Sequence, residues 1–222
     1  MSPITAIILA GGQSSRMGED KALLSWRGKP FIRCIYEAAI GCSDRVIVVT
    51  PWPQRYRDHL PTHCDYIMET RPPKVPQDTI QGAPQSAQGP LVGFYQGVSA
   101  VETDWVLLLA CDLPRLQPDQ LREWADQLEA LPAQTMAFLP QQAKGWEPLC
   151  GFYHRRCQES LGHFIAMGGR SFQRWLQQQP VCPIPLSPAA VDMLYNCNTP
   201  EDIRILRAKG GYASDAAANG DR

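Results

Sequence analysis

The sequence predicts one α/β domain built around a mostly parallel sheet. Three segments are nearly continuous runs of apolar and β-branched residues, as expected for strands covered on both faces: residues 5–9, 45–50 and 105–110. Between the first two, apolar residues recur at helical spacing from Phe31 to Ala39. A strand, a helix and a strand in this order form a right-handed βαβ unit, whose strands are parallel. With 222 residues, the chain can bury a substantial core in such a domain.

The first strand is followed by a segment rich in glycine and positive charge. It reads Leu9-Ala10-Gly11-Gly12-Gln13-Ser14-Ser15-Arg16-Met17-Gly18-Glu19-Asp20-Lys21. Glycines let backbone N–H groups converge on phosphate oxygens, and Arg16 and Lys21 add positive charge. The segment matches neither a P-loop, in which the lysine directly follows the second glycine, nor the dinucleotide fingerprint G-x-G-x-x-G. It therefore predicts an anion site of another kind, with an ordinary strand-to-helix turn as the alternative.

The remaining segments continue the alternation of strands and helices. The patterns predict helices over residues 30–40, 54–60, 90–101, 116–131, 156–164, 171–178 and 200–209, and strands over 66–69, 136–139, 148–153, 181–186 and 193–195. The start of the last helix is well marked, because Thr199 can cap it and Pro200 suits its first position. We expect residues 1–209 to form a single domain and residues 210–222, which are small and polar, to be a disordered tail.

An acidic residue directly follows the third strong strand. Asp112 comes after residues 105–110, and a carboxylate in this position is costly unless it is solvated or paired. Parallel strands end at one edge of the sheet, which is where open α/β sheets bind ligands. Asp112 is therefore a candidate Mg²⁺ ligand, opposite phosphates held by the first loop. The alternative is that Asp112 only begins a turn before Pro114.

Composition argues against several functional classes. A net charge of -1, with 19% charged residues, provides no field that would recruit nucleic acid or an anionic membrane. The apolar runs are too short to span a bilayer and the N-terminal residues lack a signal-peptide pattern, so we expect a cytoplasmic protein. The eight cysteines form no C-x-x-C pair and are expected to be reduced thiols.

The first loop and three later stretches together resemble one enzyme family. The loop resembles the L-A-G-G-x-x-x-R-M-G-x-D-K signature of the sugar- and cofactor-nucleotidyltransferases. The later stretches look like motifs of the molybdenum cofactor guanylyltransferase branch: Gly89-Pro90-Leu91-Val92-Gly93, Cys111-Asp112-Leu113-Pro114 and Asn196-Cys197-Asn198-Thr199-Pro200-Glu201-Asp202. The resemblance covers residues 4–206 and implies a Rossmann-like three-layer α/β/α nucleotidyltransferase fold.

The resemblance also implies a reaction and a set of site residues. The enzyme would transfer GMP from GTP to the terminal phosphate of Mo-molybdopterin, with Mg²⁺ as cofactor and pyrophosphate as the second product. Arg16 and Lys21 would hold the triphosphate, Asp112 would hold the metal, and Asn198, with Asn196, would lie near the metal and the acceptor phosphate. The residues implied in nucleotide binding are Leu9, Ala10, Gly11, Gly12, Lys21, Glu69, Pro90, Leu91, Gly93 and Asp112. Molybdenum-insertion and molybdoenzyme-maturation proteins are the implied protein partners.

Two departures from the family leave the choice of nucleotide open. An asparagine that the family often has after the second strand is replaced here by Thr50-Pro51-Trp52. In the family an acidic residue before the G-P-L-x-G motif reads the guanine, and here either Glu69 or Asp78 could do so. Residues 70–89, between the predicted strand over 66–69 and this motif, contain four prolines and form a long loop, which we expect to fold over bound nucleotide. The alternatives are a cytidylyltransferase or another nucleotidyltransferase of the superfamily, and a non-catalytic nucleotide-binding protein. Arg16, Lys21 and Asp112 together favour an enzyme.

Overall fold

The computed structural model describes residues 2–11, 20–70 and 89–209. The strands are β1 (Ile4–Leu9), β2 (Ser25–Trp26), β3 (Lys29–Pro30), β4 (Arg45–Thr50), β5 (Asp65–Met68), β6 (Trp105–Ala110), β7 (Ala137–Gln142), β8 (Gly145–Trp146), β9 (Cys150–His154) and β10 (Val181–Ile184). The α-helices are α1 (Phe31–Ile40), α2 (Pro90–Val98), α3 (Pro118–Ala125), α4 (Cys157–Ala166), α5 (Phe172–Leu176), α6 (Pro188–Met193) and α7 (Pro200–Lys209). Within the described ranges, none of the helices has the length and apolar character needed to cross a membrane.

The main sheet is mostly parallel, as predicted. Its strand order is β10-β7-β9-β6-β1-β4-β5, with β8 paired to β7 beside this path. β1 is parallel to both β4 and β6, β5 is parallel to β4, and β10 is parallel to β7. β9 runs antiparallel to its neighbours β6 and β7. The first residue of β9 therefore lies at the edge where the parallel strands end.

Helices cover both faces of the sheet, which confirms the three-layer prediction. Ala6 and Ile8 of β1 belong to a core cluster that includes residues of α1 and α3. Ile7 points into a second cluster, which includes residues of α2, α4 and α5. Alternate residues of a strand point to opposite faces, so β1 is buried on both sides. A third, smaller cluster packs Ile203 and Leu206 of α7 against residues of β2 and α1.

Three predicted elements differ from the structure. The helix predicted over 54–60 is replaced by two single 3₁₀ turns, Pro53–Arg55 and Arg57–His59. Prolines at 53 and 61 bound this stretch and leave too few residues for a stable α-helix. The helix predicted over 116–131 is shorter, because α3 begins with Pro118 at its first position and the chain tightens into a 3₁₀ turn at Leu128–Ala130.

The strand predicted over 193–195 is wrong. Met193 is instead the last residue of α6, which Ser187 caps by accepting a hydrogen bond from the N–H of Ala190 at 3.2 Å, and Leu194 and Tyr195 follow the helix. Ala190 and Met193 of α6, together with Leu194 directly after it, are buried at helical spacing. Residues 195–198 follow without regular secondary structure, so Asn196 and Asn198 lie on an irregular segment between α6 and α7.

The other predicted elements agree with the structure within a few residues. The eight cysteines all lie in described ranges and are free thiols, as predicted. Residues 71–88 of the loop predicted over 70–89 lie outside the described residues, as does the predicted tail over 210–222.

Candidate active site

The candidate active site lies at the edge where β1, β4 and β6 end. Leu9, the last residue of β1, is in register with Val49 on one side and Ala110 on the other. Beyond the strands, the N–H of Ala10 donates to the carbonyl of Val49 at 3.0 Å, and the Cys111 thiol donates to the carbonyl of Leu9 at 3.3 Å. The start of the first loop therefore lies beside the ends of β4 and β6.

Three predicted site residues meet at this edge. The Lys21 ammonium donates to Oδ1 of Asn198 at 2.8 Å and lies 3.6 Å from Oδ2 of Asp112. The side chains of Lys21 and Asp112 are each 20% exposed, so both remain accessible to a ligand. Lys21 comes from the 3₁₀ turn Lys21–Leu23, Asp112 follows β6, and Asn198 precedes α7.

Hydrogen bonds hold the segment that carries Asn198 against the end of β6. The N–H of Cys197 donates to the carbonyl of Asp112 at 2.9 Å. At the start of α7, Asp202 Oδ2 accepts the N–H of Thr199 at 2.7 Å, while the Thr199 hydroxyl accepts the N–H of Asp202 at 3.2 Å. This is a capping box, and the predicted cap at Thr199 is confirmed. Asp202 Oδ2 also accepts the N–H of Asn198 at 2.9 Å, which orients the asparagine toward Lys21.

Glu147 is a further acidic residue of the site that was not predicted. Its Oε2 accepts a hydrogen bond from the Asn196 amide at 3.2 Å, so the two predicted asparagines contact different acidic regions of the site. Glu147 lies between β8 and β9, and the antiparallel direction of β9 brings it to the ligand edge. The sequence signal for Glu147 was an acidic residue directly before a proline and an apolar strand. To place this residue at the site, the direction of β9 would have had to be known.

Neighbouring groups offset the negative charges of Asp112 and Glu147 only in part. Burial raises the pKa of Asp112, and the nearby Lys21 ammonium only partly opposes this. Burial also raises the pKa of Glu147, the Asn196 amide opposes the shift, and the negative charge of Asp112 adds to it. Among the described residues no group of three or more His, Cys, Asp or Glu side chains could hold a metal by itself. Carboxylate and amide oxygens suit a hard cation that takes its remaining ligands from substrate phosphates and water.

Glu69 lies on the other side of the first loop. A Cβ atom added at Gly11 would lie 2.6 Å from Oε2 of Glu69 and 3.0 Å from Pro51, and one at Gly93 would lie 3.7 Å from the Glu69 carboxyl carbon. Burial raises the pKa of Glu69 to about 7. The carboxyl thus lies among the predicted nucleotide-binding residues Leu9, Gly11 and Gly93, which is where a base-reading acid is expected.

Some of the remaining predicted site residues lie in the described part of the chain and others lie outside it. Pro90 and Leu91 lie in the first turn of α2. Gly93 lies close to Leu9, because a Cβ atom added at Gly93 would be 3.5 Å from Leu9 Cδ2. Gly12, Arg16 and Asp78 lie outside the described residues.

Comparison with known proteins gives the family. A family model described as "MobA-like NTP transferase domain" matches residues 6–181. The chain belongs to this family. A MobA-like relative from Trichormus variabilis is 47% identical over 209 residues, covering 94% of this chain and 93% of the relative, and is named "Probable molybdenum cofactor guanylyltransferase".

Solved structures support the same MobA-like fold. The molybdopterin-guanine dinucleotide biosynthesis protein A from Archaeoglobus fulgidus has a TM-score of 0.72 at 19% identity and covers 93% of this chain and 98% of its own. A Mycobacterium tuberculosis protein in complex with manganese has a TM-score of 0.61 at 18% identity and covers 92% and 98% of the two chains. At these identities the likeness is one of fold.

Proposed function

We propose that this chain transfers GMP from GTP to the terminal phosphate of Mo-molybdopterin, producing the guanine dinucleotide cofactor and pyrophosphate. The observation that carries the proposal is the meeting of Lys21, Asp112 and Asn198 at one sheet edge. The name of the Trichormus variabilis relative, which is similar over nearly the whole chain, points to the same reaction.

The nucleotide and the acceptor occupy opposite sides of Lys21 in this proposal. The base lies toward Glu69, whose carboxyl lies close to the backbone of Gly11 and Gly93. The triphosphate lies over the end of β1, within reach of Lys21 and, by resemblance, of Arg16. The acceptor phosphate lies on the side of Asn198 and Asn196. The Glu69 carboxylate can accept hydrogen bonds from the donor groups on one edge of guanine.

The reaction needs no covalent intermediate on the protein. An oxygen of the acceptor phosphate attacks the α-phosphorus of GTP, a new phosphorus–oxygen bond forms, and the bond to the bridging oxygen of the β-phosphate breaks. The electron pair of the broken bond leaves with pyrophosphate. The task of the residues is to hold two anions in line and to offset the growing negative charge. The Lys21 ammonium supplies positive charge that offsets this negative charge.

Asp112 is proposed to hold Mg²⁺, with Glu147 and Asn198 providing nearby oxygen atoms. The donor set fits, because the negative charge of Asp112 raises the pKa of Glu147 and an ionised carboxylate only accepts hydrogen bonds. A divalent cation held by these residues would supply positive charge that offsets the negative charge of the substrate phosphates. The Lys21 ammonium, 3.6 Å from Asp112, keeps the carboxylate oriented in the free protein.

The setting and the partners are also proposals. The eight free thiols suit a reducing compartment, and we place the enzyme in the cytoplasm. Molybdenum arrives as part of the substrate, since the described residues include no cluster of thiolates or imidazoles arranged to bind it. Proteins that insert molybdenum and proteins that mature molybdoenzymes would deliver the acceptor and receive the product.

Pyrophosphate release tests this function. We expect release to require GTP, Mo-molybdopterin and a divalent cation together, and to fall strongly when ATP or CTP replaces GTP. Release with CTP alone would move the assignment to a cytidylyltransferase. Binding of nucleotide without any release would indicate a non-catalytic nucleotide-binding protein.

A further inference from the structure

The segment after β4 carries a buried tyrosine that contacts both ends of the first loop. Tyr56 lies between the two 3₁₀ turns and is 1% exposed. Its hydroxyl lies 2.9 Å from Oδ2 of Asp20 and 3.3 Å from the carbonyl oxygen of Ala10. A hydroxyl has one proton, so the shorter contact, to a charged acceptor, is the stronger hydrogen bond. One side chain thus connects the end of β1 with the residue before Lys21.

Asp20 is held at both of its carboxylate oxygens. Oδ1 accepts the N–H of Ala22 at 3.1 Å and so caps the single turn Lys21–Leu23. Oδ2 accepts the Tyr56 hydroxyl and lies 3.5 Å from Nη1 of Arg55. The guanidinium of Arg55 is itself placed 4.1 Å over the ring of Trp52. The position of Asp20 therefore depends on the segment after β4.

The position of Asp20 in turn determines where the Lys21 side chain points. Lys21 is the first residue of the turn that Asp20 caps, and its ammonium reaches Asn198 and Asp112 across the site. A small rotation of this turn would move the long lysine side chain away from both partners. Burial, together with the negative charge of Asp20, raises the pKa of Tyr56, so the phenol remains a hydrogen-bond donor.

We propose that Tyr56 is a positioning residue for nucleotidyl transfer: its hydroxyl fixes Asp20, and Asp20 fixes the turn that aims Lys21 at the triphosphate. This inference rests on the proposed function. In this proposal buried Tyr56 acts through Asp20 and does not touch the substrate.

Substitution Tyr56→Phe removes the hydroxyl and keeps the buried ring. We expect kcat/KM for GTP to fall about tenfold or more, the size typical of losing a hydrogen bond to a charged group. The matched control is Tyr36→Phe, because Tyr36 is also buried in the same core cluster and its hydroxyl contacts His63 Nε2 at 3.4 Å instead of Asp20. We expect Tyr36→Phe to leave kcat/KM unchanged, and both variants to remain fully folded at the assay temperature.

A double-variant cycle separates positioning of Lys21 from a general structural role. The dissociation constant of Mg·GTP is measured for the wild type, Tyr56→Phe, Lys21→Ala and the double variant. We expect Tyr56→Phe to weaken binding several-fold in the wild-type background and to have no further effect once Lys21 is alanine. An equal loss in both backgrounds would overturn the inference.

Failure of this inference can be distinguished from failure of the proposed function. If the wild type neither binds GTP nor releases pyrophosphate, the function is wrong. If the wild type does both and Tyr56→Phe matches it, only the positioning role of Tyr56 is wrong.

Discussion

The Lys21 ammonium donates to Oδ1 of Asn198, a residue 177 positions further along the chain. The same ammonium lies 3.6 Å from Asp112, which follows the central strand β6. Three distant parts of the sequence therefore meet only in the folded protein. The arrangement joins a cation that can bind a triphosphate, a carboxylate that can bind a metal and an amide that can orient both.

Removing either charged member of this group should abolish catalysis. We predict that Lys21→Ala and Asp112→Ala each lower pyrophosphate release by about a hundredfold or more, because each removes a charge that stabilises the transition state. Burial raises the pKa of Asp112, so the ionised carboxylate lowers the stability of the folded protein. Asp112→Ala removes this carboxylate and should therefore not lower Tm. The control is Lys29→Ala, since Lys29 forms an exposed ion pair with Glu37. Normal turnover in either site variant would refute the mechanism.

Two glycines of α2 should respond to alanine in opposite ways. A Cβ at Gly93 would have 3.5 Å to its nearest neighbour, whereas one at Gly97 would lie 2.9 Å from Ile7 and 3.1 Å from Val49. Gly93→Ala should therefore keep or raise Tm, since alanine favours a helix by up to about 1 kcal/mol, yet weaken GTP binding. Gly97→Ala should instead lower stability by about 1–3 kcal/mol through overpacking. Thermal unfolding and GTP titration of both variants check this, and unchanged GTP affinity in Gly93→Ala would contradict it.

GTP binding should depend on the ionisation of Glu69. Burial raises the pKa of Glu69 to about 7, so its carboxylate becomes available to the base as the pH rises through this value. We predict about tenfold tighter GTP binding at about pH 8 than at about pH 6. Glu69→Gln should remove this contribution, and comparing the two proteins cancels the titration of the nucleotide phosphates. Identical pH profiles for the two proteins would show that another residue reads the base.

The same glutamate should reduce the stability of the free protein at alkaline pH. A carboxyl whose pKa is higher in the folded than in the unfolded state binds protons more strongly when folded, so it favours folding at low pH and costs stability as it ionises. Glu69→Gln should therefore raise Tm above about pH 7 and have little effect below about pH 5. A uniform change in Tm across this range would contradict the assigned pKa direction.

The cap of α7 should matter for activity as well as stability. Thr199→Ala removes a capping hydroxyl and should cost about 1 kcal/mol, and it should also release the segment that presents Asn198 to Lys21. Ser187→Ala is the matched control, because Ser187 caps α6 in the same manner away from Lys21. We expect similar losses of Tm in the two variants and a loss of pyrophosphate release only in Thr199→Ala. Equal activity of both variants would remove the proposed role of this cap.

The strands and their common edge could be predicted because long apolar runs and parallel connections leave few arrangements. This was enough to place Asp112 beside the first loop. Glu147 could not be placed, since its position depends on the antiparallel direction of β9, which a short strand pattern does not reveal. Tyr56 was missed for a related reason, because its hydroxyl partner Asp20 is 36 positions away in the sequence. The strand predicted over residues 193–195 was wrong because the apolar residues there also suit the end of a short helix. Ser187 and Pro188 start that helix.

Identification of the product formed from a mixture of nucleotides tests the central claim most directly. The protein is incubated with Mo-molybdopterin, Mg²⁺ and equal concentrations of GTP, CTP and ATP, and the pterin product is analysed by mass spectrometry. We predict that the guanine dinucleotide is the dominant product and that Lys21→Ala forms none. A cytosine or adenine dinucleotide as the main product, or equal product from Lys21→Ala, would contradict the account.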